Sequence, residues 1–182
     1  EDTSAEGRKQ DLEFLYEEVL KKHHPDVFAN SSEEEFTALK TEIESRLETE
    51  SETEFLMDLM RLTALVGDSH TMVSLGGNAD LRAYPYSAAQ QGDSWMLSMA
   101  PVKDKALLGQ EIVSLAGKPL PEAMEALAPL FSSDNPVHLR RQIRQACNIA
   151  DIYEYMGLVE KDAPLEIGLK NGKTLSLEPA SM

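Results

Sequence analysis

One cysteine, Cys147, stands in 182 residues. A disulfide within the chain is impossible, and a metal cluster built on thiolates is excluded. Cations are scarce too: 17 Lys and Arg stand against 32 Asp and Glu, a formal net charge of −15. Phosphate binding needs clustered Lys and Arg, so no nucleic acid partner is expected. An anionic membrane surface is disfavoured for the same reason. No apolar run nears the roughly 18 residues that a membrane-crossing helix needs, so membrane insertion is not expected. The sequence opens with Glu1 rather than Met and carries no basic-then-apolar leader. Glu1 therefore reads as a processed N-terminus or a chain boundary. There is no His-Glu-x-x-His, and the adjacent His23 and His24 face different directions on a helix, so neither a metal nor a cofactor is expected. Gly-x-Ser-x-Gly, the turn that exposes a nucleophilic serine, is also missing.

What is present suits one ordinary domain or two small ones, with 42% hydrophobic residues for a core. The acid is concentrated before residue 60, in Glu33-Glu34-Glu35 and in the alternating Glu48, Glu50, Glu52 and Glu54, which reads as a solvated helical surface. Three helices are expected there. Leu12, Leu15, Tyr16, Val19 and Leu20 recur at helical spacing, and that helix ends near His23-His24-Pro25. Ser32 with Glu35, and Ser51 with Glu54, are capping-box pairs. Each precedes an apolar stripe: Phe36, Leu39, Ile43 and Leu47, then Phe55, Leu56, Leu59, Leu62, Leu65 and Val66.

The second stripe runs into Leu65-Val66-Gly67-Asp68-Ser69-His70-Thr71. This places a histidine where a helix stops and a strand, Thr71 to Leu75, is expected to start. Such a corner can hold a side chain at a cleft edge, as acid/base chemistry requires. Gly67 is equally an ordinary helix C-cap, and Asp68 and Ser69 are ordinary turn formers. Asp68 could orient His70 or close a local Asx-turn.

A turn is expected at Gly76-Gly77-Asn78, with a boundary between regions 1–75 and 76–182. Residues 81–89, Trp95–Met99 and Gln110–Leu115 read as strands. Pro121 should open a short helix. A second helix carries Leu139, Ile143 and Cys147 on one face, and a third runs over about 150–157, stopping at Gly157. Cys147 is expected to be a buried small hydrophobe. Arg140, Arg141 and Arg144 are expected to pair with local acids, the alternative being capture of a peptide carboxylate. Leu165, Ile167 and Leu169 alternate before Asn171-Gly172, and Leu175 and Leu177 after it, a strong hairpin signal. The expected fold class is α+β: a three-helix region followed by a small β domain with inserted helices.

Asp11-Leu12-x-x-Leu15-Tyr16, His24-Pro25 and Gly67-Asp68-Ser69-His70-Thr71 together resemble the N-terminal helical region of bacterial tricorn-like serine peptidases. The C-terminal processing peptidases belong to the same family. Leu108-Gly109-x-x-Ile112-x-x-Leu115-x-Gly117-Lys118-Pro119-Leu120 resembles the PDZ-like module that follows in those proteins. The resemblance implies that His70 is a general base and Ser69 a supporting active-site residue; in other branches a Lys serves as the base. It also implies that the nucleophilic serine lies in a further α/β domain, beyond Met182. The expected function is the non-nucleophile portion of a serine peptidase, inactive alone, whose partners are a peptide or protein substrate and the missing catalytic domain. Export from the cytoplasm, in a periplasmic or secreted setting, is part of the same expectation, and a homo-oligomer is compatible with it. Leu107, Leu108 and Gly109 are the candidate peptide-binding loop, since PDZ modules bind by strand addition beside a carboxylate-capturing loop. Ala116 stands where relatives commonly have Asn. The alternative is a non-catalytic peptide-binding or scaffold module, which would bind C-terminal peptides saturably.

Overall fold

Ser32 and Ser51 start helices by the same device. Each hydroxyl accepts from the amide three residues on, and the Glu there returns to the Ser amide, so two otherwise orphaned donors are satisfied at each end. In the computed structural model, which describes residues 3–76 and 81–181, these caps open α2 (Glu33–Glu44) and α3 (Glu52–Ala64). Ahead of them α1 (Ala5–Glu13) starts on a Ser4 cap and continues as a π-helical stretch, Phe14–Lys21. Leu12, Tyr16 and Leu20, at steps of four, are buried. Residues four apart share a face in any helix, so the three line one apolar stripe. Val19, placed in the same stripe by helical counting, is exposed instead.

Two compact units emerge: Glu1–Gly76 with Pro129–Pro136, and Gly77–Ala128 with Val137–Met182. In the first, Leu12, Tyr16 and Leu20 join Phe36, Leu39, Ile43, Leu47, Phe55, Leu59, Leu62 and Val66 in one core. Tyr16 stacks on Phe36 with centroids 6.0 Å apart, and Phe28 meets Phe36 edge-on at 5.5 Å. An ionic cluster is built into the turn between α2 and α3. The fully buried Asp58 accepts from Arg46 Nη2 at 2.5 Å. Glu42 bridges Arg46 and Arg61 at 2.8 and 2.9 Å. The Glu50 side chain, 4% exposed, lies 4.0 Å from Arg46 Nε. Arg8 of α1 ties the same turn down through the carbonyls of Leu47 (3.2 Å) and Glu50 (2.6 Å).

Thr71–Leu75, expected as a strand, has no strand partner among the described residues. The segment is held by α3 instead: the Val73 amide donates to Thr63 Oγ1 at 3.3 Å, and Leu75 is buried. β character without a neighbouring edge does not make a sheet, because the pairing supplies the stabilisation. Of the expected turn, Gly77 and Asn78 lie outside the described residues.

In the second unit the expected strand over 81–89 is broken into β1 (Arg82–Ala83) and β2 (Ser87–Gln91). Pro85 lacks a donor for a ladder. The Tyr84 amide turns to Asn148 O (2.8 Å) and the Tyr86 amide to Tyr84 O (2.7 Å). β1 pairs with β8 (Ala180–Ser181) in a separate ladder. The main sheet is antiparallel in the order β2, β3 (Ser94–Met99), β4 (Glu111–Leu115), β6 (Leu165–Leu169), β7 (Thr174–Leu177), with β5 (Lys118–Pro119) also on β4. The hairpin register sets Leu165 opposite Leu177 and Ile167 opposite Leu175, all buried, and Gly172 turns the chain at φ +84°. Between β5 and β6 lie α4 (Leu120–Leu127), with Pro121 in its first turn, then α5 (Pro136–Ala146) and α6 (Ala150–Tyr155). Trp95, Leu97, Ile112, Leu115, Leu127, Ile143 and Tyr153 are buried in this unit's core.

The α+β architecture read from the sequence is the one the chain adopts. The arginine cluster on α5 differs from expectation. Arg144 donates to Ala88 O on β2 at 2.7 Å and Arg140 to Asp93 O, so they bond backbone carbonyls rather than carboxylates. Among the described residues no helix is long and apolar enough to cross a membrane.

Candidate functional site

α3 stops where Gly67 takes the left-handed conformation, φ +71°. Asn30 Nδ2 donates to the freed Val66 carbonyl at 2.9 Å, satisfying one of the acceptors that every helix end leaves open. Asp68 then organises the corner. Its Oδ1 accepts from the amides of His70 and Thr71, both at 2.6 Å. Its Oδ2 accepts from the Thr71 hydroxyl and from His24 Nε2, both at 2.8 Å. Burial alone would push the Asp68 carboxyl up. The donors from His70, Thr71 and His24 outweigh burial and hold it well below the usual carboxylate range.

The corner is therefore an Asx-turn, and Asp68 meets His70 through the backbone rather than the imidazole. The His70 side chain is exposed and makes no hydrogen bond among the described residues. His24 is the ring that Asp68 holds. Its Nδ1 accepts from the Asp26 amide at 3.2 Å, so Nε2 carries the hydrogen given to Asp68 and both nitrogens are engaged.

The segment 129–136 of the same unit backs the corner. The buried Ser132 donates its hydroxyl to Asp68 O at 2.6 Å. The Ser69 hydroxyl donates to the Asp134 carboxylate, which also accepts from Asn135 Nδ2 at 2.7 Å. Ser69 and His70 thus sit on one tight turn, with the serine bonded into its support and the imidazole facing solvent.

Leu107, Leu108 and Gly109 fall in the other unit: Leu107 ends a 3₁₀ helix, and Leu108 and Gly109 lead from it toward β4. The Leu108 amide donates to Lys105 O, the Gly109 amide to Leu97 O and the Gln110 amide to Leu107 O, at 3.3, 2.8 and 3.1 Å. These donors are spent within the unit, so they cannot hold a peptide carboxylate in this conformation. Cys147 is buried as expected, and burial pushes its thiol up to about 11, which makes it a poor nucleophile at neutral pH.

Sequence reasoning missed two members of the corner. His24 lies 44 positions from Asp68; its place beside Pro25 marks a helix end but carries no hint of its partner. Nothing in the sequence of the supporting segment 129–136 marks it as part of the first unit.

No family model and no curated protein matches this sequence. Its fold is shared with solved structures of a protease. These are of CPAF, a chlamydial serine protease. Mature CPAF superposes with a TM-score of 0.65 at 16% identity, over 98% of this chain and 35% of that one. A complex of mature CPAF with lactacystin gives 0.61 at 16% identity, over 97% and 34%. A serine-to-alanine mutant of CPAF gives 0.65 at 14% identity, over 98% and 34%. The chain spans about a third of the length of these proteins, and at these identities the likeness is one of fold.

Proposed function

We propose that this chain is the non-nucleophile portion of a serine peptidase, with His70 as general base and Ser69 as the residue that fixes the turn beneath it. The observation that carries the reading is the Asp68 turn. The carboxylate is consumed by backbone, by the Thr71 hydroxyl and by His24, while the His70 imidazole is exposed and unbonded among the described residues, on a backbone tied at the amides of His70 and Thr71. A general base needs such an accessible nitrogen on a rigid element. The nucleophile and the oxyanion donors would come from a region beyond these 182 residues. The second unit would act as a PDZ-like module that positions a peptide or protein substrate, and an extracytoplasmic setting belongs to the same proposal. The internally bonded amides of Leu108, Gly109 and Gln110 count against a free-standing peptide-binding module that works through this loop.

The test is labelling by a serine-reactive fluorophosphonate of the longer polypeptide, of its His70→Ala variant and of this chain alone. Labelling of the unmodified longer polypeptide only is the expected result. Removing a general base costs on the order of 10²–10⁴-fold, so equal labelling of His70→Ala would refute the assignment.

A further inference from the structure

We propose that His24 is a positioning residue for the candidate base, acting through Asp68 on the backbone of His70. The proposal rests on the reading of His70 as base and deepens it. His24 cannot itself serve a substrate in this arrangement, because Nδ1 accepts from the Asp26 amide and Nε2 donates to Asp68. What it does is fix one rotamer of the carboxylate. With Oδ2 held by His24 and by the Thr71 hydroxyl, Oδ1 lies 2.6 Å from two successive amides, those of His70 and Thr71. Without His24, Oδ2 keeps only the Thr71 hydroxyl, itself on the turn, so nothing outside the turn fixes the broad terminal torsion of the carboxylate and the paired amides are held less firmly. The His24 ring is well placed to prevent this. It comes from the end of the first helix, its side chain is 18% exposed, and its own orientation is set by the Asp26 amide. A chain of fixed groups therefore runs from the Asp26 amide through the His24 ring and the Asp68 carboxylate to the His70 amide. Supporting contacts of this kind set whether a reacting group sits within the small tolerance that chemistry allows.

Two measurements test this. In the 182-residue chain, hydrogen exchange at the His70 and Thr71 amides is followed in wild type, His24→Ala and His24→Gln. Gln retains a donor for Asp68. The expected result is about tenfold faster exchange at these two amides in His24→Ala, with α2 and α3 unchanged, and restoration in His24→Gln. Unchanged exchange at His70 and Thr71 in folded His24→Ala overturns the proposal. If His24→Ala does not fold, His24→Gln against wild type decides the same question: loss of protection despite the retained donor overturns it. In the longer polypeptide, the fluorophosphonate labelling rate at saturating probe should fall about 10–100-fold in His24→Ala. The half-saturating probe concentration should stay constant, and His24→Gln should recover the rate. A change confined to probe affinity, or none, also overturns the proposal. His70→Ala run alongside separates the two ideas: if it labels like wild type, the base assignment fails, and amide exchange still decides whether His24 holds the turn.

Discussion

Replacing Glu50 by Gln should stabilise the helical unit in alkali and leave it nearly unchanged in weak acid. The Glu50 carboxyl is 4% exposed and lies beside the fully buried Asp58. Burial raises its pKa first, then a hydrogen bond shared with Asp58 and that residue's charge; Arg46 and Arg8 pull the other way, and the result is about 8. The folded unit thus keeps a proton that the unfolded chain releases near 4.5. The stabilising contribution of the neutral carboxyl is fully present below pH 4.5, declines as pH rises, and is lost once pH passes about 8. Each tenfold change in a protonation equilibrium is worth about 1.4 kcal/mol, so the loss has a ceiling near ~5 kcal/mol. Gln is neutral at every pH, matches the shape and can still donate to Asp58. Thermal melts followed by circular dichroism at pH 5, 7 and 9 read the difference between the two proteins, in which titrating groups remote from Glu50 and its neighbour Asp58 cancel. We expect Glu50→Gln to gain at least ~2 kcal/mol over wild type between pH 5 and pH 9, or about 8 °C or more in Tm for a unit of this size. Parallel profiles, or a variant less stable than wild type at pH 9, would refute a protonated Glu50.

Gly67→Ala should destabilise the chain by about 2–3 kcal/mol in urea unfolding, combining left-handed strain of ~1–2 kcal/mol with the loss of a cap worth about 1 kcal/mol. The strain follows from φ +71°, and the added Cβ would lie 2.9 Å from the Asn30 amide nitrogen that caps Val66. Cys147 should resist a thiol-reactive disulfide reagent at pH 8 until denaturant is added, since the thiol is buried and pushed up to about 11; rapid reaction in the native protein would show that the chain just after α5 opens readily.

The sequence was most legible where the deciding interaction is local. Ser32 and Glu35, Ser51 and Glu54, Gly67, and Asn171-Gly172 act within four residues of themselves, and each element they delimit stands where they place it. It was least legible where a distant partner decides. Thr71–Leu75 has strand composition, but the group that meets it is the Thr63 hydroxyl of a helix rather than a strand edge. Arg140 and Arg144 carry charge without a hint that backbone carbonyls of Asp93 and Ala88 would absorb it. At the candidate site, the turn itself was readable from Asp68 and Ser69. The destination of the Asp68 carboxylate was not, because proximity in sequence favours His70 while the fold delivers His24.

The return of residues 129–136 to the first unit bears on how this protein can be dissected. A gene cut at residue 76 would look natural on paper yet yield a helical fragment without the buried Leu130 and without Ser132, whose hydroxyl anchors the Asp68 carbonyl. Exchanging the downstream half for that of a distant homologue would import foreign residues directly beneath His70. Substitutions in the short excursion over residues 129–136 therefore act on the stability of a corner 64 positions upstream of Ser132 and do not add independently to changes made there.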